Sequence, residues 1–181
     1  MTSSSRVKHI SSFPQDQVLG IGRTGLVVCQ GMFAIKLPLR WSTSSAEEVE
    51  GNIESLQNEQ AIYHRLGDFD GIVPFLGCSS TSTTLHLMEN GDLRSFLSRN
   101  ENKPSRSLQL SWFRSMARAL SHIHERGVIV ADVATRNFLL GAELNVQICD
   151  FTGSILLPLD TCMETAGKAI LSIRISGSWG L

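Results

Sequence analysis

The sequence predicts an α+β protein with a β-rich first half and a helical second part, and three observations carry that expectation. Short Val/Ile/Leu/Phe runs punctuated by glycine fill residues 18–39 (VLGIGRTGLVVCQGMFAIKLPL), the pattern of consecutive antiparallel strands. Residues 46–67 carry Val49, Ile53, Leu56, Tyr63 and Leu66 at helical spacing. Residues 108–127 repeat that spacing with Phe113, Met116, Leu120 and Ile123, and are followed by apolar runs of strand length.

Each element has a local cause. Residues 1–12 are polar and expected to be loose. Gly31 marks the turn between the second and third strands, and Pro38 ends the third. In the loop WSTSS (41–45) capping residues precede the first helix, which has acids in its first turn and Gly67 as its stop. IVPFLGC (72–78) and TLHLM (84–88) read as two further strands, and NGDLRSFLSRN (90–100) as a turn feeding a short helix. Gly127 closes the helix at 108–126. After it VIV, FLL and VQIC are short strands, the last two joined by the turn GAELN (141–145).

Composition excludes several classes. The chain of 181 residues has 42% hydrophobic and 18% charged residues, which suits one globular domain or one domain in two lobes. A net charge of −1 supplies no basic field for nucleic acid. The four cysteines (Cys29, Cys78, Cys149, Cys162) form no C-x-x-C pair, so reduced thiols in an intracellular protein are expected. No apolar run approaches the ~18 residues of a membrane span, and the start has no apolar signal region. An intracellular, cytoplasmic protein without membrane or nucleic-acid partners is the expectation.

The residues able to carry chemistry recur in a fixed order. GIGRTGLV (20–27) fits G-x-G-x-x-G-x-V through Gly20, Gly22, Gly25 and Val27, a turn whose backbone can approach phosphates. A plain β-turn fits equally well, whereas a dinucleotide fingerprint would need a helix where LVVCQG reads as a strand. Lys36 ends the third strand in FAIK; alone it is a solvated lysine. Glu59 shares the helical face of Leu56, Tyr63 and Leu66, so its carboxylate either takes Lys36 as a buried partner or reaches past the edge to water. Asp132 and Asn137 follow at D-x-x-x-x-N spacing, and Asp150 comes at the end of the next hairpin. Two carboxylates and an amide oxygen are hard ligands of the kind Mg²⁺ takes.

Taken together, these residues resemble the N-terminal two-thirds of a eukaryotic protein kinase domain, from about residue 17 to about 154. The loop DVATRN is most similar to the tyrosine-kinase and tyrosine-kinase-like groups, and VAD in place of H-R-D is similar to divergent fungal kinase-like proteins. The resemblance implies a two-lobed fold: a flexible N-terminus (1–12), a β-rich N-lobe with one helix (13–88), a partial helical C-lobe with the catalytic loop (89–154) and a non-matching tail (155–181). It also implies ATP and Mg²⁺. Asp132 would accept the substrate hydroxyl proton, Asn137 and Asp150 would bind Mg²⁺, and Lys36, paired with Glu59, would hold the α- and β-phosphates. Arg136 would add positive charge near the γ-phosphate. Leu85 falls at the gatekeeper position and Met88 where the backbone receives adenine, with Ala34 above the ring, Leu139 below it, and Leu19 and Val27 beside it.

Three departures qualify the resemblance. Val130 and Ala131 replace His and Arg of H-R-D, which removes the arginine that pairs with an activation-segment phosphate. D-F-T replaces D-F-G, with Thr152 stiffer than glycine. No A-P-E motif follows, so the C-lobe is expected to be truncated and a chaperone is an expected partner beside ATP and a protein substrate. The leading expectation is a protein kinase that transfers the γ-phosphoryl group to a protein hydroxyl. A pseudokinase that binds nucleotide or regulates without catalysis is the alternative, and a small-molecule kinase of similar fold a further one.

Overall fold

The computed structural model describes residues 8–101 and 103–158. Within them the expected α+β, two-lobed architecture is present. Strands β1 (Val18–Ile21), β2 (Gly25–Gln30), β3 (Phe33–Pro38), β4 (Phe75–Ser79) and β5 (Ser82–His86) form an antiparallel sheet in the order β1-β2-β3-β5-β4. Strand β3 sits at its centre and alternates inward Ala34, Lys36 and Pro38 with more exposed neighbours, the period of two a half-buried strand demands. Gly31, at φ +63°, makes the β2–β3 turn. Ahead of the sheet, residues expected to be loose are partly tied down: Ile10–Ser12 is a 3-10 turn, and Ile10 N donates to Arg40 O. Residues 1–7 of that segment lie outside the described residues.

Helix α1 (Ala46–Leu66) crosses the sheet. Ser45 Oγ accepts from Glu48 N at its start, Glu47 and Glu48 face the positive end of the dipole, and Gly67 at φ +67° closes it. Its buried face carries Val49, Ile53, Leu56, Glu59, Tyr63 and Leu66. Gln60 Nε2 lies 3.0–3.1 Å from Ser79 O, Ser82 O and Thr83 Oγ1, which fastens the helix to the β4–β5 hairpin.

The second lobe is helix-poor among the described residues. After β6 (Gly91–Asp92) come α2 (Leu93–Arg99), capped by Asp92, and α3 (Arg106–Glu125), capped by Ser105. Short strands follow: β7 (Val128–Ile129), β8 (Phe138–Leu140), β9 (Val146–Ile148) and β10 (Ile155–Leu156). The predicted catalytic loop runs from β7 to β8; β8 belongs to the sheet β6-β8-β9, and β10 pairs back onto β7.

The apolar face of α3 is rotated from the expected one. Trp112, Ala119 and Ile123 are buried and Met116 and Leu120 half-buried, whereas Phe113 stands 65% exposed. Both faces satisfy helical spacing. Trp112 wins because its Nε1 donates to Leu144 O at 2.7 Å in the β8–β9 turn, which meets the buried indole's need for an acceptor. Phe113, with Leu97 and Leu110, remains on the surface of this lobe.

One hydrophobic core runs through both lobes, from Ala34, Leu85 and Met88 to Ile123, Phe138 and Phe151. At its centre Tyr63 stacks on Phe75 at 5.4 Å and meets Phe151 edge-on at 5.0 Å, so α1, β4 and the segment after β9 share one aromatic column. Gly71, at φ +112°, lets the loop before β4 lie on α3; a Cβ there would stand 3.1 Å from that of Ala119. A parallel bridge between Ile72 and Ile148 joins the lobes beside it.

Candidate functional site

The site begins with a lysine that the sheet forces inward. Lys36 shares the face of β3 that meets α1 and is only 8% exposed. A buried ammonium must find acceptors for its protons. Its Nζ lies 2.5 Å from Glu59 Oε2, 2.8 Å from Asp150 Oδ1 and 3.0 Å from Thr152 Oγ1, one acceptor for each N–H. The expected Lys36–Glu59 pair is therefore present. Glu59 is fully buried and takes all its hydrogen bonds on Oε2, while its Oε1 has no partner among the described residues.

Asp150 reaches this cluster through an unusual backbone. It adopts φ +62°, which an aspartate tolerates when its own side chain bonds the main chain nearby, and Thr152 N donates to Asp150 Oδ1 at 3.2 Å. Burial alone would raise its pKa, but the Lys36 ammonium and the hydrogen bonds from Lys36 and Thr152 outweigh it and hold the carboxyl below the usual value. Burial likewise works against the charge on Lys36, but Glu59 and Asp150 prevail and its pKa is raised. Neighbouring groups follow the same logic. Burial, reinforced by Glu59, Cys149 and Asp150, pushes Tyr63 well up, and its hydroxyl faces the Asp150 main chain without reaching standard hydrogen-bond geometry. Burial of the Cys149 thiol, with Asp150 next to it, pushes it up to about 12.

A second cluster forms on the loop between β7 and β8. Asn137, 6% exposed, ends a 3-10 turn (Thr135–Asn137) and donates from Nδ2 to Asp132 O at 2.9 Å and Asp132 Oδ2 at 3.1 Å. That leaves Asn137 Oδ1 as the acceptor of its amide. Arg136 reaches the same Asp132 Oδ2 at 2.5 Å, and both side chains of this pair are about half exposed. Cys149 N donates to Asn137 O at 2.9 Å, so the loop and Asp150 are tied through adjacent residues. Among the described residues no three His, Cys, Asp or Glu side chains converge as a metal set.

The remaining predicted positions fall around these two clusters. Ala34 and Leu85 are register partners on β3 and β5, both buried, and Met88 is buried beyond β5. Val27 and Leu139, half-buried, pack against the same core. Leu19 stands 50% exposed on β1. Gly20 and Gly22 differ from Gly25: a Cβ on Gly20 would meet nothing within 4 Å and one on Gly22 only Gly25 O at 3.5 Å, whereas one on Gly25 would come 3.0 Å from Lys36 Cε. The third glycine thus clears room for the lysine, a role its motif position did not announce. A cavity of about 250 Å³ lies elsewhere, shares only Met88 with this set and carries Glu89 and Glu143, which suit an anionic ligand poorly.

Sequence reasoning missed three contributors. Thr152 donates to Glu59 Oε2 at 3.1 Å as well as accepting from Lys36. Ser154 Oγ accepts from Ala131 N at 3.2 Å, and Asn58 on α1 donates to Ser154 O at 3.2 Å, so α1, the β7–β8 loop and the stretch after Asp150 are clamped together. The signal was only position: Thr152 and Ser154 lie within four residues of Asp150, and Asn58 directly precedes Glu59.

A family model described as protein tyrosine and serine/threonine kinase matches residues 16–175, running past the motifs into the stretch expected to be a tail. From residue 159 that stretch lies outside the described residues. The E3 ubiquitin-protein ligase KEG of Arabidopsis thaliana is 26% identical over 76% of the chain and 8% of its own length. Ephrin type-A receptor 5 of Rattus norvegicus is 26% identical over 80% of the chain and 15% of its own. MAP3K epsilon protein kinase 1 of Arabidopsis thaliana is 31% identical over 57% and 8%. The chain thus spans less than a fifth of the length of these relatives. Among the described residues no helix is long and apolar enough to cross a membrane.

Proposed function

The chain belongs to the protein tyrosine and serine/threonine kinase family, and we propose that it is a nucleotide-binding, kinase-like regulatory domain whose ligand is ATP with Mg²⁺. The single observation that carries this reading is the buried Lys36, held by Glu59 and Asp150 with its charge intact. Burying an ammonium is costly, and even its ion pairs often do no more than offset that cost, so stability alone gives little reason for a lysine here. The donor set fits: a cation for phosphate oxygens, a carboxylate and an amide oxygen for the metal, and open backbone at Gly20 and Gly22.

In this reading Lys36 takes the phosphates, Asp150 and Asn137 take the metal, and Gly20 and Gly22 lie over the phosphates. Ala34, Val27, Leu85, Met88, Leu139 and Leu19 form the apolar walls for the base. Bound Mg²⁺ would neutralise phosphate charge. The test is calorimetric titration with ATP and Mg²⁺: wild type binds and Lys36→Ala binds more weakly. Equal affinity in both removes the assignment.

A second reading, phosphoryl transfer to a protein hydroxyl, is favoured by the half-exposed Asp132 carboxylate held by Arg136 and Asn137. Asp132 would accept the hydroxyl proton and Arg136 would steady charge near the γ-phosphate. One of the relatives is by name a protein kinase, MAP3K epsilon protein kinase 1, which supports a protein substrate. Transfer of radiolabelled phosphate that Asp132→Asn abolishes, with ATP binding retained, would favour this reading over binding alone. Ala131 stands where a phosphate-reading arginine would, and its main-chain N–H donates to Ser154 Oγ, so this clamp forms without a phosphate.

A further inference from the structure

Lys36 has three N–H bonds and three acceptors, and the third acceptor is a residue that the family's D-F-G pattern does not supply. Thr152 stands where glycine is expected. Its hydroxyl accepts from Lys36 Nζ at 3.0 Å and donates to Glu59 Oε2 at 3.1 Å, while its main-chain N donates to Asp150 Oδ1 at 3.2 Å. One residue therefore bonds all three charged members of the cluster. The hydroxyl's single proton and lone pairs close the path Lys36 to Thr152 to Glu59, and bonds linked in this way polarise one another.

We propose that Thr152 is a positioning residue: its hydroxyl holds the Lys36 ammonium and the Glu59 carboxylate together in the nucleotide-free protein, and keeps one ammonium proton when Asp150 turns to a metal. If Asp150 Oδ1 leaves the lysine for a cation, one N–H is released toward phosphate while Glu59 and Thr152 hold the other two. A glycine there would leave a second donor without an acceptor, and the ammonium free to rotate. This last step rests on the nucleotide reading; the hold on the free cluster does not.

Two measurements on the full chain keep those apart. The chain has four lysines (Lys8, Lys36, Lys103, Lys168), so a proton–nitrogen correlation of its Nζ groups is simple to assign with Lys36→Arg. In nucleotide-free wild type the Lys36 ammonium gives a resolved resonance because its protons are held. Thr152→Val, of equal shape without the hydroxyl, loses or broadens it, and Thr152→Ser keeps it. A wild type without the resonance, a valine variant that retains it, or a serine variant that loses it overturns the proposal. Thr152→Ala takes the place of the valine variant if the latter does not fold. In the second arm Thr152→Val weakens ATP-Mg²⁺ binding about fivefold, the effect of one hydrogen bond, while Thr152→Ser stays within about twofold of wild type. Equal affinity in the valine variant overturns the retained proton. A wild type that binds no nucleotide overturns the function proposed above, and the resonance still decides the place of Thr152.

Discussion

On the sheet side of the site, Lys36 Nζ lies 2.5 Å from Glu59; on the loop side, Arg136 lies 2.5 Å from Asp132. The side chains of the first pair are 10% and 1% exposed, those of the second 56% and 46%. Equal distances therefore conceal unequal energies. In the buried pair each charge is costly without the other, so removing one partner leaves the full penalty on the survivor. In the exposed pair water replaces whatever is removed, and salt screens the rest. The first pair is built into the core that holds α1 on the sheet. The second is a local contact four residues apart that sets the direction of a side chain.

The largest expected effect tests that contrast directly. Lys36→Ala should destabilise the fold by about 3–5 kcal/mol in urea denaturation, because Glu59 is left fully buried without a counter-charge. The double variant Lys36→Met/Glu59→Leu should recover most of that loss. A Lys36→Ala cost below about 1 kcal/mol would place this pair in the same class as the exposed one.

Glycines sharpen the comparison next. Gly25→Ala should cost about 1–3 kcal/mol, since its Cβ would press on Lys36 Cε, which is pinned by the cluster. Gly20→Ala meets nothing and should leave the denaturation midpoint unchanged while lowering nucleotide affinity. A matching loss of stability in both would mean that the loop packs on the protein rather than standing open for a ligand.

Acidity separates the two sides further. The pKa of Asp150 is lowered in the folded state, so its contribution is present above the unfolded carboxylate value and is lost as pH falls through the folded one. Lys36 has a raised pKa, so its contribution is complete below the unfolded lysine value and is lost as pH rises through the folded one. Asp150→Asn should therefore flatten the acid limb of a stability-against-pH curve, and an unchanged acid limb would show that Lys36 does not hold this carboxylate.

The smallest effect belongs to the exposed pair. Arg136→Ala should change stability by no more than about 1 kcal/mol, and added salt should shrink even that. A larger loss in the same denaturation experiment would show that the loop is coupled to the core through the Cys149–Asn137 backbone bond.

Much of the fold was legible because its causes are local. The first helix is announced by Ser45, Glu47, Glu48 and Gly67, all within a turn of its ends, and the structure places it from Ala46 to Leu66. The strand ending in FAIK was legible, but its lysine read alone as solvated, and the structure turns Ala34 and Lys36 to one buried face. The carboxylate of Glu59 on an apolar stripe pointed either to Lys36 as a buried partner or to water past the edge, and packing chose the lysine. Less legible were elements whose cause is a distant residue. Strand β10 exists because it pairs with β7, and its residues alone carry no such instruction.

What the sequence determined by itself is the order of the chemistry-bearing residues and the helices and strands that carry them, because periodicity, caps and turns act over a few residues. Tertiary structure alone decided the rest. It chose Trp112 over Phe113 for the buried face of α3, since only Trp112 met a free carbonyl, that of Leu144, 32 residues away. It turned Gly25 into clearance for a lysine, and brought Asp150 and Thr152 to Lys36 across 114 and 116 residues. A short-range pattern cannot specify which oxygen closes the third bond of a buried ammonium. That is set when the core packs, because only then is water excluded and each proton left to find a protein acceptor.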